Sequence, residues 1–324
     1  MQRRSLLAGL AALAATPFAA PLAHAQGSDQ PIRWVVPYPA GGGTDVLART
    51  LSEAMRGPLN QNIVVDNRPG AATNIGAELV ARAKPDGLTI LSADNAVLAF
   101  NEHLFGKLPF NPEKDFSYVG AIGRFPLALV VHPDFPAKTF AEFLAYVKAN
   151  PGKVNYASPG NGSPHHLAME LFKNRTGSFL VHIPYRGAAP AMADVMGGQV
   201  PCMFLDLASG LSVMQSGKVR VLAIGSSQRS TLLPGVPTLA EAGVKDSEVY
   251  AFQGILGPAG LPAPIVARLN GELNKSFQTP AVQKRFADIG MEALPGTPAQ
   301  FLALARAESK RWGAVIQAAG IRLD

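Results

Sequence analysis

The 324-residue sequence predicts a doubly wound α/β protein of two lobes joined by two crossing strands. Three features predict it. Short β-rich runs alternate with amphipathic helical segments. Two long apolar stretches, at 118–132 and 220–227, can carry the chain out of one lobe and back. A helical tail from Pro262 then returns to the first lobe. At 48% hydrophobic and 16% charged residues, the chain is too apolar to be disordered and too poor in charge for a coiled coil.

The first β-rich run, 32–38, ends in Pro39-Ala40-Gly41-Gly42-Gly43. In the helix that follows, Leu47, Leu51 and Met55 share one face, and Gly57-Pro58 stops it. A strand at 63–65, a helix from about Asn74 to Ala83 and a strand at 88–91 complete a βαβαβ order. That order calls for a parallel sheet with helices on both faces. Thr139-Phe140-Ala141-Glu142 is a capping box opening a helix whose apolar side carries Phe140, Phe143, Leu144 and Val147. Strands at 154–157, 180–183, 201–205 and 220–224 follow, each separated from the next by a helical segment. In the tail, Ile265, Val266, Leu269, Leu273 and Phe277 fit one face, and Thr297-Pro298 caps a last helix bearing Trp312 and Ile316. The implied division is 26–124 and 226–324 for the first lobe and 125–225 for the second.

Residues 1–25 read as a signal peptide. Arg3 and Arg4 precede an uncharged apolar stretch, 6–20, and Ala23-His24-Ala25 offers small residues at a cleavage site. Arg3-Arg4-Ser5-Leu6-Leu7 resembles a twin-arginine signal, and the route, Sec or twin-arginine, stays open. With no cysteine at the cleavage point and no further long apolar run, a soluble, unanchored periplasmic protein is expected. The single cysteine, Cys202, excludes an internal disulfide and reads as a small buried hydrophobe. Losing Arg3 and Arg4 leaves 27 basic against 23 acidic side chains, scattered along the chain, so nucleic acid is not an expected partner.

Three glycine-rich turns feed helix N-termini. They are Tyr38-Pro39-Ala40-Gly41-Gly42-Gly43-Thr44-Asp45, with Thr44 or Asp45 as N-cap; Ser158-Pro159-Gly160-Asn161-Gly162-Ser163-Pro164-His165, with Ser163 as cap; and Tyr185-Arg186-Gly187-Ala188-Ala189-Pro190. A helix N-terminus presents unpaired N–H groups and about half a positive charge, so it accepts an anion without a lysine. All three turns fall at carboxyl ends of strands, where open α/β sheets bind ligands. No nucleotide P-loop and no dinucleotide fingerprint occurs, and no cofactor is expected.

Enzyme and metal signatures are absent from the sequence. No G-x-S-x-G elbow or H-E-x-x-H is present. Adjacent His165 and His166 would diverge by about 100° on a helix and do not suit one metal. His165 is either a ligand contact or a surface or capping residue. Asp206 ends an apolar run and either binds a ligand hydroxyl or amino group or caps the next segment. Asp45 is expected to cap rather than to face a ligand carboxylate. The competing class is a secreted hydrolase using Ser163 or Ser158 with His165.

The motifs also carry a likeness. The stretch 37–45 with Ala48-Arg49, then Val65-Asp66-Asn67-Arg68-Pro69-Gly70-Ala71, 84–91, 156–163, 182–187, Gly197-Gly198-Gln199-Val200 and Gly235-Val236-Pro237-Thr238 resemble the Bug receptors. These are substrate-binding proteins of tripartite tricarboxylate transporters, and the likeness spans nearly the whole chain after residue 26. It implies a type II periplasmic-binding fold closing on a small organic acid. One ligand carboxylate would be held by backbone and water at Ala40–Thr44 and Ser158–Ser163. Further contacts are implied at Tyr185–Ala188, Asp206 and Asn95. The implied partners are a membrane permease and, in related receptors, a sensor kinase; a monomer is expected.

Overall fold

The alternation read from the sequence recurs in a computed structural model, which describes residues 30–323; the 1–25 signal segment lies outside the described residues. The first half runs β1 (Ile32–Val36), α1 (Gly43–Arg56), β2 (Ile63–Asn67), α2 (Asn74–Ala81), β3 (Thr89–Asp94) and, after a π-helical stretch at Ala96–Phe100, α3 (Asn101–Leu104). A long strand, β4 (Phe116–Val131), then leads to α4 (Phe140–Ala149), β5 (Asn155–Ser158), α5 (Pro164–Thr176), β6 (Val181–Pro184) and α6 (Ala188–Met196). Next come β7 (Cys202–Asp206), α7 (Leu207–Gln215), β8 (Arg220–Ile224) and β9 (Tyr250–Pro258). The chain ends in α8 (Ala263–Ser276), α9 (Pro280–Asp288), β10 (Glu292–Ala293) and α10 (Pro298–Ala319).

The spatial order is β2-β1-β3-β9-β4-β7-β5-β6, with β8 and β10 also on β4. The first βαβαβ unit is parallel as its order requires, while the sheet as a whole is mixed. β1 is parallel to β2 and β3, and β5 to β6 and β7. β9, however, runs antiparallel between β3 and β4, and β4 is antiparallel to β7 and β8. β9 escaped the sequence reading because no helical repeat precedes it, and Gln253, Gly254 and Gly257 break its apolar run. Gly254 is required by packing: a Cβ there would lie 2.0 Å from Phe301 Cζ of α10.

β4 is shared by two groups of strands. Its positions 116–126 pair with β9 and 123–124 with β10, whereas 127–131 pair with β7. Register shifts beside Gly120 and Gly123 let so long a strand bend between the two groups. The change of partners occurs at Leu127. Its N–H donates to Val249 O (3.2 Å) and its carbonyl accepts from Gly225 N–H (2.8 Å), while Val249 N–H donates to Gly225 O (2.8 Å). Within the apolar stretch 220–227, β8 is hydrogen-bonded to 128–131 of β4, and Gly225 bonds to Leu127 and Val249.

Helix ends follow the local chemistry. Ser163, Thr139 and Thr297 cap α5, α4 and α10, the last in a full capping box with Gln300. Trp312 of α10 meets Phe100 edge-on at 5.0 Å, and Leu323 N–H donates to Leu104 O, so the C-terminal helix closes over the residues that follow β3.

Candidate ligand-binding site

Four helices begin at one place. The first residues of α1, α5 and α6 and the N-cap of α7 line a cavity of about 30 Å³, together with Tyr38, Asp94, Phe125 and Gln253. α1 comes from the β1 side of the molecule; α5, α6 and α7 come from the β5–β7 side.

Two of the four N-termini have no side-chain cap. The N-cap of α1 is Gly42, not Thr44 or Asp45, and it offers no side chain. The first helical bond runs from Val46 N–H to Gly42 O, so the N–H groups of Gly43, Thr44 and Asp45 lack a helical acceptor. The Asp45 carboxylate instead braces the turn, accepting from Gly41 N–H at 3.0 Å and from Asn67 and Arg49. Burial pushes its pKa up, but Arg49 and these hydrogen bonds outweigh burial and hold it below the usual value. At α6 the N-cap is Gly187, with φ +114°, where a Cβ would also lie 3.2 Å from Pro39 Cγ. By contrast, α5 is capped by Ser163 and α7 by Asp206, which accepts from Ser209 N–H and Ser209 Oγ at 2.7 Å each.

Three polar pairs complete the inner wall. His165 Nε2 lies 3.0 Å from Asp206 Oδ2. A carboxylate only accepts, so Nε2 carries the hydrogen, and Nδ1 has no partner. Burial raises the Asp206 pKa, yet the bonds from His165 and Ser209 bring it below its ordinary value. Gln253 Nε2 donates to Thr44 Oγ1 at 3.0 Å, while its Oε1 is buried without a partner. Tyr38 OH donates to Asp94 Oδ2 at 2.7 Å. Burial lifts Asp94 to about 6, against the lowering effect of that bond and of backbone N–H donors, and burial with the Asp94 charge raises Tyr38.

A wider cavity of about 680 Å³ adjoins this one, sharing Tyr38, Pro39, Pro159 and Gly187 with it. Gly160, Asn161, Ser163, Tyr185 and Arg186 line it, facing residues 69–73. Arg186 is exposed there, and Tyr185 OH donates to Asp194 Oδ2 at 2.6 Å.

Behind the second turn lies a stack of rings. His166 and His182 are parallel at 4.0 Å, and Tyr156 stacks on His182 at 4.8 Å. Gly162 N–H donates to His166 Nδ1 at 3.1 Å; Gly160 N–H donates to Ser158 Oγ at 3.1 Å, itself 2.6 Å from His182 Nε2. Burial, then the Lys173 charge, lowers His166 to about 4; burial, then His166, lowers His182 to about 3. The rings are therefore neutral; His166 accepts from Gly162 N–H and His182 is paired with Ser158 Oγ, which fixes the turn's backbone. Ser158 is thereby bonded to His182 rather than to His165, and Ser163 Oγ is the α5 cap, so neither serine is paired with His165 as the hydrolase reading requires.

Of the residues singled out in the sequence, Tyr38, Gly42, Gly43, Thr44, His165, Gly187, Ala188 and Asp206 line the inner cavity. Ala40, Gly41, Asn95, Ser158 and Gly162 line neither. Asn95 is fully buried and spends its amide on β9, donating to Tyr250 O and accepting from Phe252 N–H. Four wall residues, Asp94, Phe125, Ala251 and Gln253, lie outside the turns and were not singled out. Asp94 sits at the carboxyl end of β3, the position that marked the three turns, so its place was readable. Phe125 and Gln253 lie within extended strands whose facing the sequence does not reveal.

Comparison with known proteins agrees with this architecture. Residues 47–321 match the family model described as the tripartite tricarboxylate transporter family receptor, TctC. Protein BugT of Bordetella pertussis is 36% identical over 325 residues, covering the full length of both chains. The periplasmic binding protein BugD superposes with a TM-score of 0.87 at 34% identity, over 91% of this chain and 99% of that one. MatC from Rhodopseudomonas palustris, solved with bound malate, gives 0.84 at 32% identity over 89% and 99%. The mixed α/β architecture with shared β4 is thus the two-lobed periplasmic-binding fold, and the chain belongs to the TctC family of tripartite tricarboxylate transporter receptors, the Bug proteins.

Proposed function

We propose that this chain is an exported periplasmic receptor that closes on a small carboxylate between its lobes and delivers it to the membrane permease of a tripartite tricarboxylate transporter. One observation carries the reading: two uncapped helix N-termini, of α1 and α6, come from opposite sides of the molecule and face one cavity. A buried carboxylate is tolerated only when its oxygens are fully hydrogen-bonded, and clustered backbone N–H groups provide that without a counter-charge. MatC, a relative of 32% identity, was solved with a carboxylate, malate, bound.

The lobes we assign are 26–124 with 226–324, and 125–225. The segments that cross between them meet at Leu127, Gly225 and Val249, whose mutual hydrogen bonds make this the place for a hinge. Binding and closure require no bond to be broken, and the role is that of a receptor rather than an enzyme.

Thermal-shift titration of residues 26–324, refolded to strip any carried ligand, tests this. A ligand at 100 times its dissociation constant adds about 2.7 kcal/mol, a shift of a few degrees. Mono-, di- and tricarboxylates are expected to shift the midpoint and sugars and amines to leave it unchanged. A shift with sugars alone, or with nothing in a monodisperse sample, overturns the reading. Uptake by membranes carrying the permease, dependent on added receptor, tests delivery.

A further inference from the structure

The inner cavity is lined by groups of two kinds. The first are the N–H groups at the start of α1 without a helical acceptor and the Thr44 hydroxyl, all suited to a carboxylate. The second are buried side-chain atoms without a partner. Gln253 Oε1 is buried, at 2% residue exposure, without a partner, and His165 Nδ1, at 8%, is likewise without one. His165 Nε2 is already donating to Asp206, which leaves Nδ1 as the ring's unpartnered nitrogen. The carboxylates of Asp94 and Asp206 line the same space, and their bonds come from within the protein.

Leaving a buried polar atom unsatisfied is costly, and a native fold rarely leaves two beside one cavity unless something fills them. A plain carboxylate brings acceptors only, so it reaches Gln253 Oε1 through a bridging water at best, whereas a donor on the ligand meets it directly. What satisfies Gln253 Oε1 is a donor, and its position follows from the Gln253 amide: Nε2 of the same group holds Thr44 Oγ1 at 3.0 Å, one residue into the helix whose N-terminus takes the carboxylate. A donor that meets Gln253 Oε1 while the carboxylate rests on the start of α1 is one carried close to that carboxylate.

We infer that the ligand is a carboxylic acid bearing a hydrogen-bond donor, a hydroxyl or an ammonium, close to its carboxylate, and that Gln253 selects for it. This rests on the carboxylate-receptor reading above. Sites built to hydrogen-bond a ligand hydroxyl reject the analogue lacking it strongly, because their own buried groups are then left unpaired.

Calorimetry with matched acids tests the inference at three sizes: propionate, lactate and alanine; succinate, malate and aspartate; phenylacetate, mandelate and phenylglycine. In at least one set the hydroxy or amino acid is expected to bind about ten-fold or more tighter than its unsubstituted partner. The hydroxy and amino arms separate the two donors. Gln253→Met is expected to bring that ratio to within about three-fold. If unsubstituted acids bind as well as substituted ones, Gln253 turns its amide N–H₂ inward and the inference fails while the receptor reading stands. A ratio that survives Gln253→Met also refutes it. If no acid of any set binds, the receptor reading fails and this inference with it. The wild-type comparison needs no variant, so a Gln253→Met protein that does not fold leaves the test intact.

Discussion

Gly43 and Asp206 touch across the molecule: a methyl added at residue 43 would lie 3.0 Å from Asp206 Oδ1 and 2.9 Å from Phe125 Cζ. The start of α1 thus sits against the Asp206 carboxylate and the Phe125 ring with no room for a methyl group between. Gly43→Ala is expected to force them apart, since overpacking of this kind costs about 1–3 kcal/mol. Calorimetry should show ligand affinity falling about ten-fold or more, with a lower melting midpoint. Unchanged affinity would mean that the two helix ends need not approach for binding.

Asp206 has three duties: it caps α7, accepts from Ser209 Oγ and orients His165. Asp206→Asn keeps the size and removes the charge. Losing a buried charge-assisted bond costs about 1–3 kcal/mol, so a midpoint several degrees lower is expected in thermal melts. The same variant sorts ligands. An ammonium-bearing acid loses affinity with the charge, whereas a second carboxylate near residue 206 gains.

Asp94 shares the inner cavity with the space assigned to the ligand carboxylate, and burial has lifted it to about 6. Above that pH two like charges oppose one another; below it Asp94 is neutral. Affinity for an acid that stays ionised should therefore rise as pH falls from 8 through 6, and Asp94→Asn should bind more tightly at pH 8 with a flat profile. The stability sign agrees. A carboxyl whose folded pKa is raised contributes stability that is full below its unfolded value near 4 and lost as pH rises through about 6, so Asp94→Asn should raise the pH 8 midpoint. An affinity that is flat in the wild type between pH 8 and 5 would remove Asp94 from the ligand's neighbourhood.

The stacked pair behind the second turn makes the opposite prediction for acid. His166 and His182 are buried neutral, with folded values lowered to about 4 and about 3. Their contribution is fully present above the ordinary histidine value of about 6.5 and lost as pH falls toward the lowered values, at up to about 1.4 kcal/mol per pH unit for each ring. His166→Phe keeps the stack and removes one titrating ring and the acceptor for Gly162 N–H. It should be less stable at pH 7.5 and show a shallower decline between pH 6.5 and 4. An equally steep decline in denaturant melts would place the acid sensitivity elsewhere.

The parts of the fold and site readable from sequence were those written in local chemistry. Leu47, Leu51 and Met55 are buried as their spacing requires, and Ser163-Pro164 opens α5 as capping rules demand. The glycine turns announced themselves by composition. What escaped was everything set by partners distant in sequence. Nothing local separates Gln253, facing Thr44 over 209 positions, from an edge-strand glutamine. Asn95 and Asp94 are neighbours at one strand end, and only the packing of β9 decides that the first is pinned and the second faces the cavity. The Asp45 carboxylate was read as a cap by its position, but Gly42 had already made the cap with backbone alone.

The place of β9 has a consequence for biogenesis. It lies between β3 and β4, although it follows β4 by more than a hundred positions in the chain, so the sheet is completed at its middle rather than at an edge. A polypeptide emerging N-terminus first holds β3 and β4 with open hydrogen-bonding edges until residue 258 is free, and those edges are sites for mispairing. Gln253 arrives on the same strand. The inner cavity is therefore completed by the same step that closes the sheet, and a partly emerged chain lacks its finished wall.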